Sequence, residues 1–183
     1  MLLAYVMILL IIYDKLLYNL SVRKNIYYIS IVAAIYVVLC LILAPISFGP
    51  IQLRLSELLC LLAVEFDWAI IAVTIGCFIS NLLFSGLGII DVFFGTFATF
   101  IGCLLAYKFR YRVYKGKPIL SGLMIVICNA ILIGIELGIL EKSLSILFIT
   151  SVEIAISESI IVFIIGLPLY NKMIQIVKDS QKK

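Results

Sequence analysis

The sequence predicts an all-α, polytopic membrane protein of six transmembrane helices, and three observations predict it. Of its 183 residues, 65% are apolar and the mean hydropathy is +1.28, more than the core of a soluble domain this size uses. Long apolar runs recur, separated by short polar or Gly/Pro breaks. Lysine and arginine fall in clusters that six spans would bring to one side of the bilayer, the cytoplasmic side by the positive-inside rule.

The first span covers 26–44 and is ended by Pro45 and the Gly49–Pro50 loop. The second, 53–64 and extendable back to Ile51, is short: about 15 residues at ~1.5 Å rise give ~22 Å, against a hydrocarbon core of ~30 Å. The loop before it is therefore expected to dip into the membrane, sheltered by protein, as rim and lid of a site. Glu65-Phe66-Asp67 breaks the chain before the third span, 68–84, and Gly86 and Gly88 turn it into the fourth, 89–107. The basic loop KFRYRVYKGK leads to the fifth, 118–137, and the sixth runs from 144 to 167, stopped by Gly166 and Pro168.

Lys15, Arg23 and Lys24 precede the first span; Lys108, Arg110, Arg112, Lys115 and Lys117 lie between the fourth and fifth; Lys172, Lys178, Lys182 and Lys183 follow the sixth. Only Arg54 and Lys142 lie outside these clusters, so both termini are expected in the cytoplasm. Three regions follow: an N-terminal extension at 1–22, the six-helix domain at 23–172 and a basic cytoplasmic tail at 173–183. The extension, apolar to Tyr13 and then carrying Asp14 and Lys15, lacks the basic start and cleavage site of a signal peptide. It reads as an interfacial segment or as translation from an upstream start rather than as a further helix.

Five cysteines lie inside apolar runs and none forms a Cys-x-x-Cys pair, so they read as small apolar packing residues, with no metal site and no disulfide framework. Histidine is absent, which removes the usual acid/base of an intramembrane enzyme. The chain has no phosphate-binding loop of the Gly-x-x-x-x-Gly-Lys type. ATP-driven work would use a motor on other chains.

Polar residues within the spans cluster toward the outer face. Arg54 and Glu57 head the second helix, Asn81 ends the third, Asp91 starts the fourth, Glu136 ends the fifth, and Glu153 lies in the outer half of the sixth. Asn129 and Glu158 sit nearer mid-membrane. Each charge costs at least ~2.5–3.5 kcal/mol to insert, so the group needs a cavity, partners or both. Taken singly, structural roles stay open: Arg54 and Glu57, at i and i+3, could pair, Asp91 could cap the fourth helix, and Glu136 and Glu153 could meet the interface. Taken together they form an outward-opening site. Five acids against one base favour a cationic or N–H-rich ligand, with Asn81 and Asn129 suited to a heterocycle edge and Phe84, Phe93, Phe94 and Phe97 available for stacking. Gly95, Thr99, Gly102 and Ala106 make a small-residue stripe for helix packing, and Ser30 and Ala34 a second small pair, for internal packing or for docking another subunit.

Four segments in order, APISFGPIQLRLSELLCLL, GCFISNLLF with GLGIIDVFFGTFAT, NAILIGIELG and IIGLPL, resemble the QueT family, substrate-binding (S) components of energy-coupling factor (ECF) transporters for queuosine precursors. The resemblance spans 23–169. It implies an S-component-like bundle in the plasma membrane that binds a 7-deazapurine outside, with no enzyme activity, no cofactor and no nucleic-acid partner. Its implied partners are a transmembrane coupling subunit and two cytoplasmic ATPases, with toppling in the bilayer releasing the ligand inside. It carries over Gln52, Arg54, Glu57, Asn81, Asp91, Asn129 and Glu136 as site or loop-ordering residues, with Glu158 where the family often has a Gly-Glu pair, here Ser157-Glu158. Ser30 and Ala34 stand where the docking motif usually has two alanines, and a proline common near Leu62-Ala63 is missing. An S component for another cationic vitamin and a stand-alone proton-coupled carrier, with Glu153 and Glu158 relaying protons, are the alternatives.

Overall fold

A computed structural model describes residues 25–47 and 53–182. The N-terminal extension and Gln52 lie outside the described residues. Within them the protein is helical, without a β-strand. Helix α1 spans Asn25–Ile42 and a helical turn, Ala44–Ser47, follows it. A 3₁₀ helix, Leu55–Val64, precedes α2 (Asp67–Phe84), α3 (Ile89–Lys108) and α4 (Ile119–Leu140). The last rod is continuous from Leu144 to Gln181: α5 (Leu144–Ser159), a π-helical stretch (Ile160–Gly166) and α6 (Leu167–Gln181). Four of these helices are long and apolar enough to cross a membrane, and two shorter apolar ones, Leu55–Val64 and Trp68–Phe84, complete the bundle. The protein is a multi-pass membrane protein.

Two elements differ from the sequence expectation. The second helix is 3₁₀ rather than α, and the steeper rise of ~2.0 Å per residue stretches its ten residues to about 20 Å. It is buried on nearly every side, from Ser56 to Val64, so its neighbours fix its geometry and no amphipathic stripe selects the α period. The last helix does not stop at Pro168. The Leu167 N–H bonds back to the Val162 carbonyl, five residues earlier, so the wide π turn absorbs the disruption that proline causes in a tighter α turn. The basic tail from 173 is therefore helical to Gln181, and Lys178 Nζ pairs with Glu65 Oε1 at the end of the 3₁₀ helix.

That ion pair, and the 3.4 Å contact of the Tyr28 and Ser180 hydroxyls, bring the start of α1, the end of the 3₁₀ helix and the C-terminal end of α6 to one end of the bundle. This is the end that the lysine and arginine clusters are expected to hold in the cytoplasm. Close helix approaches hold the other elements. A Cβ on Gly76 would lie 2.7 Å from Tyr36 Cβ, and one on Gly102 3.3 Å from the Ile125 Cα. On α4, a Cβ on Gly134 or Gly138 would run into Ser151 or Leu147 of α5, so glycine lets these helices meet almost backbone to backbone. Between them lies a core from Val32 and Tyr36 through the 3₁₀ helix and Trp68 to Val162.

Candidate functional site

Two buried polar clusters lie within and beside the core, and they differ in how their groups are satisfied. The inner one is centred on Glu57, which is 1% exposed. Its Oε1 accepts from the Tyr36 hydroxyl and, at 3.2 Å, from Thr99 Oγ1; its Oε2 accepts from Cys60 Sγ at 2.9 Å. Cys40 Sγ and Ser56 Oγ lie 3.0 Å apart beside it, and Thr99 Oγ1 is 3.3 Å from Cys77 Sγ. Glu57 thereby ties α1 and α3 to the 3₁₀ helix. All five cysteines are unbridged and buried, but three of them touch this cluster as weak donors or acceptors rather than serving only as apolar filler.

The outer cluster starts with Arg54, at the head of the 3₁₀ helix. Its Nε donates to the Ser47 carbonyl at 3.4 Å, and Nη2 lies 3.6 Å from Asp91 Oδ1, with both side chains buried. The Arg54–Glu57 pairing that their spacing left open gives way to Arg54–Asp91, with Glu57 turned inward to Tyr36 and Thr99. Nor does Asp91 cap its helix. The cap is Gly88, whose φ of 75° suits glycine; Asp91 sits one turn in and points at the arginine. Asn81 Nδ2 bonds the Asp91 carbonyl at 3.4 Å. Gly95 makes the room: a Cβ there would stand 2.5 Å from Asn81 Nδ2 and 3.5 Å from Arg54 Nη1. The small-residue stripe on α3 thus seats both polar clusters, Gly95 the outer and Thr99 the inner.

Opposite Arg54, Asn129, Ile133 and Glu136 recur at i, i+4 and i+7 and form one stripe on α4. Ile154 and Glu158 form another on α5. Arg54, Asn129, Ile133, Ile154 and Glu158 line a cavity of about 10 Å³. Asn129 Nδ2 is spent on the Ile125 carbonyl at 3.3 Å. Glu136 is 0% exposed, and neither of its carboxylate oxygens has a hydrogen-bond partner among the described residues. Glu158 Oε2, Asp91 Oδ1 and Asn81 Oδ1 are in the same condition. Such buried acceptors cost about 1–3 kcal/mol each when unmatched, more when charged, and within the described residues the cluster holds more acceptor oxygens than hydrogen bonds to fill them.

Of the residues singled out in the sequence, Arg54, Asn81, Asp91, Asn129, Glu136 and Glu158 belong to the outer cluster and Glu57 to the inner one. Glu153 is exposed and faces away from Glu158, so the two share no relay. Phe93 and Phe97 also face outward, at 70% and 55% exposed, and Phe84 packs against the core. Ser30 and Ala34 are exposed on one face of α1. The residue that sequence reasoning missed is Tyr36. Its signal was position: membrane tyrosines favour the interfaces, whereas Tyr36 lies well inside α1 and is fully buried.

A QueT transporter family model matches residues 26–175. The chain belongs to the QueT transporter family. A relative named queuosine precursor transporter QueT, from Lactococcus lactis subsp. cremoris (strain MG1363), is 46% identical over 88 residues, 45% of this chain and 51% of that protein. The match thus spans about half the length of that relative. No solved structure matches the chain.

Proposed function

We propose that this QueT family member is the substrate-binding membrane subunit of an ECF-type transporter, a binding protein and not an enzyme, that captures a 7-deazaguanine queuosine precursor from outside. The observation that carries the reading is the surplus of buried acceptors: Glu136, Glu158 Oε2, Asp91 Oδ1 and Asn81 Oδ1 accept no hydrogen bond among the described residues. A 7-deazaguanine brings adjacent N–H donors on its lactam and 2-amino edge, suited to a carboxylate, and an aminomethyl arm adds a cation. Glu136 and Glu158 take the base edge and the ammonium between them, with Asn129 on the ring. The name of the Lactococcus relative supports the same ligand class.

The exposed face of α1 with Ser30 and Ala34 docks on the coupling subunit, small residues allowing close approach, and two ATPase subunits on the cytoplasmic side supply the energy. The test is a panel on the purified chain by calorimetry and thermal stabilisation, setting 7-aminomethyl-7-deazaguanine and queuine against thiamine, pyridoxine, riboflavin and biotin. Binding confined to the deazaguanines is expected; a signal with a vitamin and none with either deazaguanine would overturn the substrate. In proteoliposomes, uptake should require the coupling and ATPase subunits. Sustained accumulation by this chain alone would instead mark a self-sufficient carrier.

A further inference from the structure

A cavity of about 10 Å³ holds one water molecule at most, while sites for ring-sized ligands typically run to ~300 Å³ or more. Something must leave before a deazaguanine enters, and the side chain in the way is Arg54. Its guanidinium lies in the outer cluster, against Asp91 at 3.6 Å, beside Gly95, and lining the cavity with Asn129 and Glu158. A guanidinium presents planar, adjacent N–H donors matched to carboxylates. The N1–H and 2-amino group of a guanine-type base present the same kind of edge.

We propose that Arg54 is a built-in surrogate for a cationic, guanidine-type ligand edge: while no ligand is bound, its charge, held in the ion pair with Asp91, offsets the outer acids without filling their hydrogen-bond positions, and it must swing out to admit one. This rests on the deazaguanine reading above and adds that Arg54 competes with the ligand instead of holding it. The competition has two effects. It sets a cation against Asp91 and beside Glu158 at the cavity wall in the unliganded protein, sparing the cost of an uncompensated charge. It also sets a threshold for entry, since a ligand without matching donors cannot replace what Arg54 gives up.

The test compares wild type with Arg54→Ala and Arg54→Gln in the same lipid, using 7-aminomethyl-7-deazaguanine as ligand and methylguanidinium as an independent probe. If the arginine-occupied form dominates, removing it lowers the apparent Kd by about tenfold or more, because the population cost of displacement disappears. Methylguanidinium should stabilise Arg54→Ala against heat and compete with the deazaguanine there, while doing neither to wild type. Arg54→Gln, which keeps an amide donor for Asp91, should tighten binding in the same direction and serves if the alanine variant fails to fold. Weaker deazaguanine binding by a folded Arg54 variant, or indifference of Arg54→Ala to methylguanidinium, would overturn the proposal. Failure of every protein to bind the deazaguanine would count against the ligand reading instead, with the methylguanidinium arm still reporting on Arg54.

Discussion

Glu57 and Glu136 are both carboxylates sealed inside a membrane protein, at 1% and 0% exposure, yet they stand in opposite chemical states. Glu57 receives hydrogens from Tyr36, Thr99 and Cys60. Glu136 receives none from the described residues. Burial therefore does not distinguish these two acids; donor supply among the described residues does. Glu57, with donors from three elements, is a clamp; Glu136 is the acid proposed to meet the ligand.

The comparison can be broken by finding that the inner cluster governs binding or that the outer one governs folding. The largest effect is expected for Glu57→Ala, which strands three buried donors at ~1–3 kcal/mol each. Its melting temperature should collapse, measured by thermal unfolding in detergent, while any protein that stays folded keeps its affinity. Next is Glu158→Gln. Hydrogen bonds to charged groups are worth about 1.5–3 kcal/mol, and tenfold in affinity is 1.4, so binding should weaken about tenfold or more with the melting temperature unchanged. Gly95→Ala should follow, its methyl 2.5 Å from Asn81 Nδ2: overpacking costs ~1–3 kcal/mol, and because it pushes on Asn81 and Arg54, affinity should change along with stability. Smallest is Thr99→Val, at about 1 kcal/mol of stability, since Glu57 Oε1 keeps Tyr36; calorimetry should find its ligand affinity intact.

Much of the architecture was legible because it is local. Apolar runs, Gly88 and the basic clusters declare spans, breaks and orientation through neighbours in sequence. Intramembrane charges were equally visible, since inserting each is costly enough to demand a reason. What was not legible was who meets whom. Glu57 finds Tyr36 and Thr99 on separate helices, 21 and 42 residues away, whereas the i, i+3 spacing pointed to its neighbour Arg54. The 3₁₀ geometry was hidden because a helix buried on all sides shows no period, and the passage through Pro168 because a π turn leaves no composition signal. Gly95 and Thr99 read as packing residues from their spacing. Only the packed bundle shows that each also leaves space or a hydroxyl for a carboxylate cluster.

The central claim is that Glu136 waits for a donor carried by the ligand. The direct measurement is a calorimetric cycle: wild type and Glu136→Gln, each titrated with 7-aminomethyl-7-deazaguanine and with analogues lacking the 2-amino group or the aminomethyl amine. Glu136→Gln should weaken binding of the full ligand about 10- to 100-fold without lowering the melting temperature. One of the two deletions should then cost far less in the variant than in wild type, the coupling that identifies a direct partner. Equal affinity of wild type and Glu136→Gln for the full ligand would contradict it.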